Sequence, residues 1–221
     1  MIVIHGVPIS VHVRKTLVTA TLKGIAHNVE PVIPFNPPAD WASLSPTGLI
    51  PAMQDGSFTL AESTAICLYL ERKQPSPAIL PGDIEGDSRA LFLDGYSGWM
   101  FRSLVHGLFF QKVISPRILK GATDQAVIDN ILATVRPRVF QYLDSLATAD
   151  FLGGSVPGLA DLGIASNLIN YRYLGFDIDR SQYPRLAAYA DRVVGLPPFR
   201  RVLAREAPFA EQLGLDRRFL A

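Results

Sequence analysis

The chain has 221 residues, of which 48% are hydrophobic and 19% are charged. This composition is typical of a folded globular protein with a sizeable core, and it excludes an intrinsically disordered chain. Twenty-one basic residues against 20 acidic ones give a net charge of +1, which argues against a dedicated nucleic-acid-binding protein. The charges near the end, which include Arg200, Arg201 and Glu206, are interpreted as one solvated face.

The cysteine content and the hydropathy pattern indicate a cytoplasmic protein. The one cysteine, Cys67, excludes an intrachain disulfide framework and a multi-cysteine metal site. The histidines His5, His27 and His106 lack the spacing of metal ligands, so no metal is expected. The N-terminus has no basic region, and no run of about 18 apolar residues occurs, so we expect neither a signal peptide nor a membrane span.

The chain begins with a strand–helix–strand pattern. "MIVIH" is an apolar, β-branched run that ends at Gly6, and it predicts a buried strand. Apolar spacing from Ser10 to Leu22 predicts a helix. "NVEPVI" predicts a second strand, and Pro31 places it at the edge of a sheet because proline cannot donate to a neighbouring strand.

A hairpin and a second helix follow a proline-rich connection. "PAMQ" and "FTLA" flank Asp55 and Gly56, which is a strong hairpin signal. Helical periodicity then runs from Glu62 to Lys73. The order βαβ-ββα predicts a compact α/β domain over residues 1–75.

After "QPSPAILPGD", which holds three prolines in ten residues, only helical patterns remain. We expect a linker over residues 76–87 and an all-α domain over residues 88–221. Pro137 interrupts one helical pattern and predicts a kink or a boundary there. The helical patterns cover residues 88–115, 124–147, 159–174 and 184–194.

Glu62 and Ser63 stand together where the hairpin gives way to a helix. A helix N-terminus presents free N–H groups and a partial positive charge, so it binds carboxylates. Ser63 could hold a ligand carboxylate there while Glu62 pairs with a ligand ammonium, which would suit an α-amino-acid head group. The alternative is that the pair only caps the helix.

Pro51 favours the ligand-binding interpretation. A proline that opens a strand can follow a cis peptide bond, and we expect one between Ile50 and Pro51. The main-chain groups of Ile50 would then be offered to an extended ligand, as in strand addition. A peptide-like molecule would bind with its amino-acid end at Ser63 and its backbone at Ile50.

These residues lie in a segment with a family resemblance. "GLIPAMQDGSFTLAESTAICLYLERK" resembles the glutathione-binding segment of the cytosolic glutathione transferases, with Ile50-Pro51 in the place of their cis-proline and Glu62-Ser63 in the place of their γ-glutamyl-binding pair. "GVPISVHVRKTLVTATLKGI", "FLGGSVPGLADLGIASNL" and "YPRLAAYADRVVGLPPFRRVLA" are similar to their first loop and helix, their helical-domain cap and their C-terminal helices.

The resemblance covers nearly the whole chain and carries several expectations. It implies a thioredoxin-like N-terminal domain, an all-α C-terminal domain and a homodimer. It also implies glutathione as co-substrate on the first domain, with a hydrophobic electrophilic small molecule on the second. Trp99, Arg102 and His106 are the candidates for the electrophile pocket, and neither nucleic acid nor membrane is an expected partner.

Ser10 is the candidate catalytic residue. It stands five residues before Lys15 in "SVHVRK", similar to the serine of the phi, tau and theta-like serine-type members. The reference pKa of a thiol is about 8.5, so a hydroxyl donor that stabilises the thiolate would supply the nucleophile. The alternative is that Ser10 only caps the first helix. His12 is expected on the helix surface, with a second polar contact to the ligand as the alternative. Cys67 is expected to be a buried, inert thiol.

Two features depart from the family pattern. Leu49 occupies a position where many relatives carry Gln or Lys, and the connection before it has no basic residue. Both losses should weaken the binding of the glycyl carboxylate of glutathione. Gly158 precedes Asp161 where relatives have Ser or Thr, so half of the capping box is missing.

These departures keep a second class of function open, a non-catalytic ligand-binding or interaction protein on the same fold. A thiol-exchange enzyme is a third class, but the first loop contains no cysteine.

Overall fold

A four-stranded mixed sheet lies at the centre of the N-terminal part of the protein in the computed structural model, which describes residues 1–220. The strands are β1 (Ile2–His5), β2 (His27–Glu30), β3 (Ala52–Asp55) and β4 (Phe58–Ala61). Their order in the sheet is β2-β1-β3-β4; β1 is parallel to β2 and antiparallel to β3, and β3 is antiparallel to β4. β2 lies at the sheet edge, as Pro31 predicts, and it ends just before that proline.

Three helices accompany the sheet: α1 (Val11–Leu22), α2 (Trp41–Leu44) and α3 (Ser63–Lys73). The stretch of α1 from Val11 to Ala20 is buried except at His12, because α1 packs against both the sheet and α3. Val13, Leu17 and Ala20 are completely buried, as their helical spacing predicts.

The rest of the protein is helical. The α-helices are α4 (Ile84–Met100), α5 (His106–Phe109), α6 (Gln125–Asn130), α7 (Arg136–Leu146), α8 (Leu159–Tyr173), α9 (Pro184–Gly195) and α10 (Pro197–Gln212). π-Helical turns follow α4, α5 and α6 at Phe101–Val105, Phe110–Ile118 and Ile131–Val135, and a 3₁₀ turn covers Arg218–Leu220. Within residues 1–220, the only β pairing beyond β4 is an isolated bridge between Phe151 and Gly154. The predicted fold class, an α/β domain followed by an all-α domain, is confirmed.

Contacts divide the chain into two units whose limits differ from the sequence-based boundaries. One unit comprises Met1–Ile79 with Pro197–Ala207, and the other comprises Leu80–Leu196 with Pro208–Ala221. Helix α4 begins within the stretch expected to be a linker. Residues Pro197–Ala207 of α10 belong to the α/β unit, a membership that no local pattern indicates.

Pro137 marks a change of helix type rather than a break. The π-helical turn ends at Val135, and Pro137 is the second residue of α7. Because Pro137 has no N–H, it cannot bond to a carbonyl of the preceding turn, and the change from π to α winding takes place at this position without ending the helix.

Asp161 organises the start of α8, the most deeply buried helix. Its carboxylate accepts hydrogen bonds from the N–H groups of Gly158 (2.8 Å) and Leu152 (2.9 Å) and from the hydroxyl of Tyr189 (2.9 Å). Burial raises the pKa of Asp161, although these three bonds oppose the rise. The acidic half of the predicted capping box is therefore present, and Gly158 lacks the hydroxyl for the other half.

Candidate functional site

The sheet register brings three separate chain segments to one end of the sheet. His5 of β1 pairs with Ala52 of β3, and Ala52 pairs with Ala61 of β4. Pro51, one residue before Ala52, therefore lies between the loop that follows β1 and the residue that precedes α3. This geometry places the predicted residues Ser10, Ile50, Pro51, Glu62 and Ser63 on neighbouring segments of one unit.

Gly6 makes the close approach of two of these segments possible. Its φ is +142°, and a Cβ at this position would lie 2.5 Å from Val13 Cγ2 and 3.1 Å from Ile50 Cβ. Any side chain would push the loop away from Ile50. The glycine thus keeps the loop that carries Ser10 in contact with the segment that carries Ile50.

Ser10 lies at the N-cap of α1. Its hydroxyl oxygen accepts a hydrogen bond from the N–H of Val13 at 3.5 Å, the long limit of such a bond. The cap uses the oxygen as an acceptor, and the hydroxyl hydrogen has no acceptor among the residues that the structure describes. Ser10 can therefore cap the helix and still donate a hydrogen bond to a ligand.

The Ile50–Pro51 peptide bond is cis, as predicted. The main-chain N–H and C=O of Ile50 form no hydrogen bond within residues 1–220. Pro51 is buried and Ile50 is half-buried. A ligand that runs along this segment could therefore form hydrogen bonds with both the N–H and the C=O of Ile50.

Glu62 caps α3 in an unusual backbone conformation. Its φ is +81°, a region that costs a non-glycine residue about 1–3 kcal/mol. The carboxylate accepts from the N–H groups of Thr64 and Ala65, both at 3.0 Å. Partial burial pushes the pKa of Glu62 up, but the two N–H donors, the nearby Lys15 charge and the Ser63 hydroxyl outweigh it, so the pKa is lowered. Glu62 is thus ionised at neutral pH.

Ser63 is 3% exposed and is the first residue of α3. Its hydroxyl lies 3.2 Å from a carboxylate oxygen of Glu62. Its own N–H has no partner within residues 1–220, in contrast to the N–H groups of Thr64 and Ala65. Capping by Glu62, which was the alternative interpretation of the pair, therefore leaves the Ser63 N–H available to an anion.

His12 and Lys15 lie beside the predicted site residues at the start of α3. His12 was expected on the helix surface, but its Nδ1 lies 3.4 Å from the Ser63 hydroxyl. Lys15 is 3% exposed, and its ammonium donates to the Thr64 hydroxyl at 3.0 Å. Both residues face α3 from the first turns of α1. The signal in the sequence was their position within two helical turns of Ser10.

Leu49, one of the residues that depart from the family pattern, directly precedes Ile50 in the chain. Leu49 is 66% exposed, and Trp41 is buried with its indole N–H donating to the Gly48 carbonyl at 3.1 Å. Trp41 is therefore a core residue of this segment. Cys67 is completely buried and lies 3.1 Å from the Thr19 hydroxyl, which agrees with its expected structural role.

The candidates for the electrophile pocket lie in the helical unit. Trp99 is at the end of α4, and its ring lies 5.2 Å from that of Tyr96. Arg102 is exposed on the π-helical turn that follows, and His106 begins α5 with its ring 5.5 Å from Phe101. They follow one another at intervals of three and four residues, and the π-helical turn Phe101–Val105 separates Trp99 from His106. The site residues that the sequence nominated thus fall into two groups, one on each unit.

Two further properties concern the described residues as a whole. Among them, no helix combines the length and apolarity needed to cross a membrane. Residues 1–220 also contain no cluster of three or more His, Cys, Asp or Glu side chains that could bind a metal ion.

Comparison with known proteins identifies related chains. The family model for the glutathione S-transferase N-terminal domain matches residues 9–73, and the model for the C-terminal domain matches residues 125–192. A glutathione S-transferase of Triticum aestivum is 28% identical over 210 residues, which cover 94% of this chain and 95% of the relative.

Solved structures show the same likeness. A glutathione S-transferase from Rhodospirillum rubrum F11 superposes with a TM-score of 0.88 at 22% identity and covers 100% of this chain and 98% of its own. The theta class enzyme from Xanthomonas axonopodis pv. citri, solved with glutathione bound, has a TM-score of 0.76 at 25% identity, with coverage of 90% and 95%. Since both domain models match in order and together span more than half of the chain, this protein belongs to the glutathione S-transferase family.

Proposed function

We propose that this glutathione S-transferase transfers the glutathione thiolate to a hydrophobic electrophilic small molecule, with Ser10 as the donor that stabilises the thiolate. The observation that carries the proposal is the meeting of three unused polar groups at one end of the sheet. These are the Ser10 hydroxyl hydrogen, the main chain of Ile50 and the N–H of Ser63.

Each of these groups suits a different part of glutathione. The Ser63 N–H and the α3 N-terminus suit the α-carboxylate of the γ-glutamyl group, and ionised Glu62 suits its ammonium. The main-chain groups of Ile50 and the adjoining Pro51 suit the cysteinyl backbone. Bound in this way, the cysteinyl sulfur is directed to the loop that carries Ser10.

The chemistry then needs one proton and one electron pair to move. The bound thiol loses its proton to solvent, and the resulting thiolate accepts a hydrogen bond from Ser10. The sulfur attacks an electrophilic carbon, a C–S bond forms, and the leaving group departs with the electron pair of the broken bond. A hydrogen bond to a charged sulfur is stronger than one to a neutral thiol, so Ser10 favours the reactive form.

The electrophile side of the proposal rests on the residues of the helical unit. Trp99 supplies an aromatic surface beside Tyr96, and Arg102 and His106 follow it along the helical stretch. An aromatic surface followed along the same stretch by the Arg102 cation favours flat, electron-poor aromatic substrates over aliphatic ones.

Titration calorimetry and a turnover assay test the proposal together. Purified protein should bind glutathione, and with 1-chloro-2,4-dinitrobenzene it should release chloride and form the thioether. Ser63→Ala keeps the main-chain N–H but removes the hydroxyl, a second donor to the ligand carboxylate, so it should weaken glutathione binding by roughly three- to tenfold, as expected for one hydrogen bond of about 0.5–1.5 kcal/mol. Binding without turnover of any electrophile would favour the non-catalytic ligand-binding protein, and absence of binding would overturn both proposals.

We also propose that the protein is a cytoplasmic homodimer. The exposed apolar side chains Ile84, Leu91 and Phe92 on α4 support an interface, because a monomer seldom leaves several such side chains on one helix.

A further inference from the structure

A completely buried charge pair in the α/β unit joins the first helix to α10. The Arg14 Nε and Nη2 atoms each donate to a different carboxylate oxygen of Glu206 at 2.7 Å, and both residues are 0% exposed. Glu206 was expected on a solvated face with the other charges near the end of the chain, and this expectation is wrong. Glu206 lies in the part of α10, Pro197–Ala207, that belongs to the α/β unit.

The pair also reaches the loop that carries Ser10. Arg14 Nη2 donates a further hydrogen bond to the main-chain oxygen of Ile9 at 3.3 Å. Ile9 is 7% exposed and directly precedes Ser10, whose N–H donates to the Val7 oxygen at 3.0 Å. One guanidinium therefore connects Glu206 to the peptide unit that leads into Ser10.

Stability alone is a poor explanation for such a pair. Removing two charges from water costs several kcal/mol per ion, and replacing a buried pair by apolar residues is often neutral or stabilising. The planar guanidinium has donors in fixed directions, so it can hold its hydrogen-bond partners in one orientation, which apolar side chains cannot do.

We infer that Arg14 and Glu206 are positioning residues for Ser10, an inference that rests on the proposed role of Ser10 in glutathione transfer. Glu206 fixes the plane of the guanidinium, the guanidinium fixes the Ile9 carbonyl, and the Ile9–Ser10 peptide unit then directs the hydroxyl. Because the carboxylate neutralises the guanidinium, the pair acts through geometry rather than through a net charge at the sulfur. Effective sites hold such groups within about 0.5 Å of the productive geometry.

The charge-free double variant Arg14→Met/Glu206→Leu separates positioning from stability. Both charges disappear together, so the fold should survive with an unfolding midpoint close to that of the wild type. The donor to Ile9 disappears as well. We expect the kcat at pH 7 to fall roughly tenfold, the pKa of the bound thiol to rise by about one unit, and the KM for glutathione to stay within about twofold.

A matched control removes the ion pair at the other end of α1. Lys23 pairs with Glu71 on α3, and its ammonium donates to the carbonyls of Gln74 and Pro77. None of these contacts involves the loop before α1. Lys23→Met/Glu71→Leu should leave the thiol pKa unchanged, whatever it does to the unfolding midpoint.

Adding Ser10→Ala to both the wild type and the charge-free variant completes the test. If the pair acts through Ser10, removing the pair from the Ser10→Ala protein should cost no further activity. Equal losses in both backgrounds would overturn the inference. So would a charge-free variant with wild-type thiol pKa and kcat.

Hydrogen exchange gives an answer that does not depend on glutathione. The amide of Ser10, bonded to Val7, should exchange about tenfold faster in the charge-free variant, while the amides of β1 and β3 keep their protection. Unchanged exchange at Ser10 would overturn the inference. A wild-type protein that fails to bind glutathione would instead overturn the proposed function, and the exchange rates would still show whether the pair holds the loop.

Discussion

At the scale of single residues, Ser10 combines two uses of one hydroxyl. The oxygen accepts a long hydrogen bond from Val13, and the hydrogen is left for a ligand. The interpretation as a helix cap and the interpretation as a thiolate donor are therefore compatible, and only the second changes the acidity of a bound thiol.

Ser10→Ala should lower the kcat by about one to two decades, because a hydrogen bond to a charged group is worth about 1.5–3 kcal/mol. The pKa of the bound thiol, followed by thiolate absorbance, should rise, while the affinity for glutathione changes little. Ser10→Thr keeps a hydroxyl and should retain most of the activity. Full turnover and an unchanged pH profile in Ser10→Ala would leave Ser10 as a helix cap only.

In the proposed binding mode, Leu49 affects the affinity for the glycyl end of glutathione. With the γ-glutamyl group at Ser63 and the cysteinyl backbone at Ile50, the glycyl end of glutathione extends past Ile50 toward Leu49. Residues 31–60 contain no Lys, Arg or His, so this stretch offers no cation to the glycyl carboxylate.

Leu49→Lys should therefore tighten glutathione binding by about two- to fivefold at low salt, as expected for an exposed ion pair of up to about 1 kcal/mol. Calorimetry at 20 mM and 500 mM NaCl checks this, because salt screens exposed charges. Leu49→Gln is the uncharged control. Equal gains with the glycyl ethyl ester of glutathione would show that the new lysine does not contact the carboxylate.

At the scale of secondary-structure elements, the starts of α3 and α8 depend on carboxylates in opposite surroundings. Glu62 lies at the surface, and its pKa is lowered by N–H donors and by Lys15 against the effect of partial burial. Asp161 is fully buried, and burial raises its pKa despite three hydrogen bonds.

For Glu62, the lowered folded-state pKa means that the ionised form stabilises the native protein. This contribution is present above 4.5, the ordinary pKa of a glutamate, and is lost as the pH falls through the folded pKa. Glu62→Gln should accordingly unfold at a lower temperature than the wild type at pH 7, and the difference should shrink below pH 4.5. A difference in melting temperature that is constant from pH 7 to pH 3 would contradict this assignment.

For Asp161, truncation should be costly because it leaves the N–H groups of Gly158 and Leu152 and the buried Tyr189 hydroxyl without an acceptor. We expect Asp161→Ala to lower the free energy of unfolding by about 2–4 kcal/mol, which is roughly 5–15 °C in Tm for a chain of this size. Asp179→Ala is the control, since Asp179 accepts three hydrogen bonds from Ser181 and Gln182 but is exposed. An equal loss in both variants would mean that burial is not the cause.

At the scale of the whole molecule, the proposed homodimer rests on the exposed apolar side chains of α4. Phe92 is 58% exposed and Leu91 is 42% exposed, and an interface would remove both from water. Sedimentation equilibrium at micromolar concentration should give twice the 24.2 kDa mass of the chain. Phe92→Asp should shift the mass toward one chain, and Glu85→Gln, a change on the same helix that keeps side-chain size, should not. A single-chain mass for the wild type would overturn the proposed dimer.

The sequence by itself determined the types and order of the elements. Apolar periodicity, Asp55-Gly56 and the prolines of the connections report local geometry, which depends on neighbours within one or two turns. For the same reason the sequence nominated Ser10, Ile50 and Ser63, because each stands at the end of an element with a recognisable local pattern.

Only the tertiary structure decided which distant residues meet. His12 lies beside Ser63 across 51 positions of sequence, and Arg14 pairs with Glu206 across 192. In a sequence, charged residues such as Arg14, Lys15 and Glu206 are typical of a solvated surface, since burial of an unpaired charge is strongly unfavourable. Their burial becomes favourable only through partners that the packing of α1 against α3 and α10 supplies, and no local pattern carries that information.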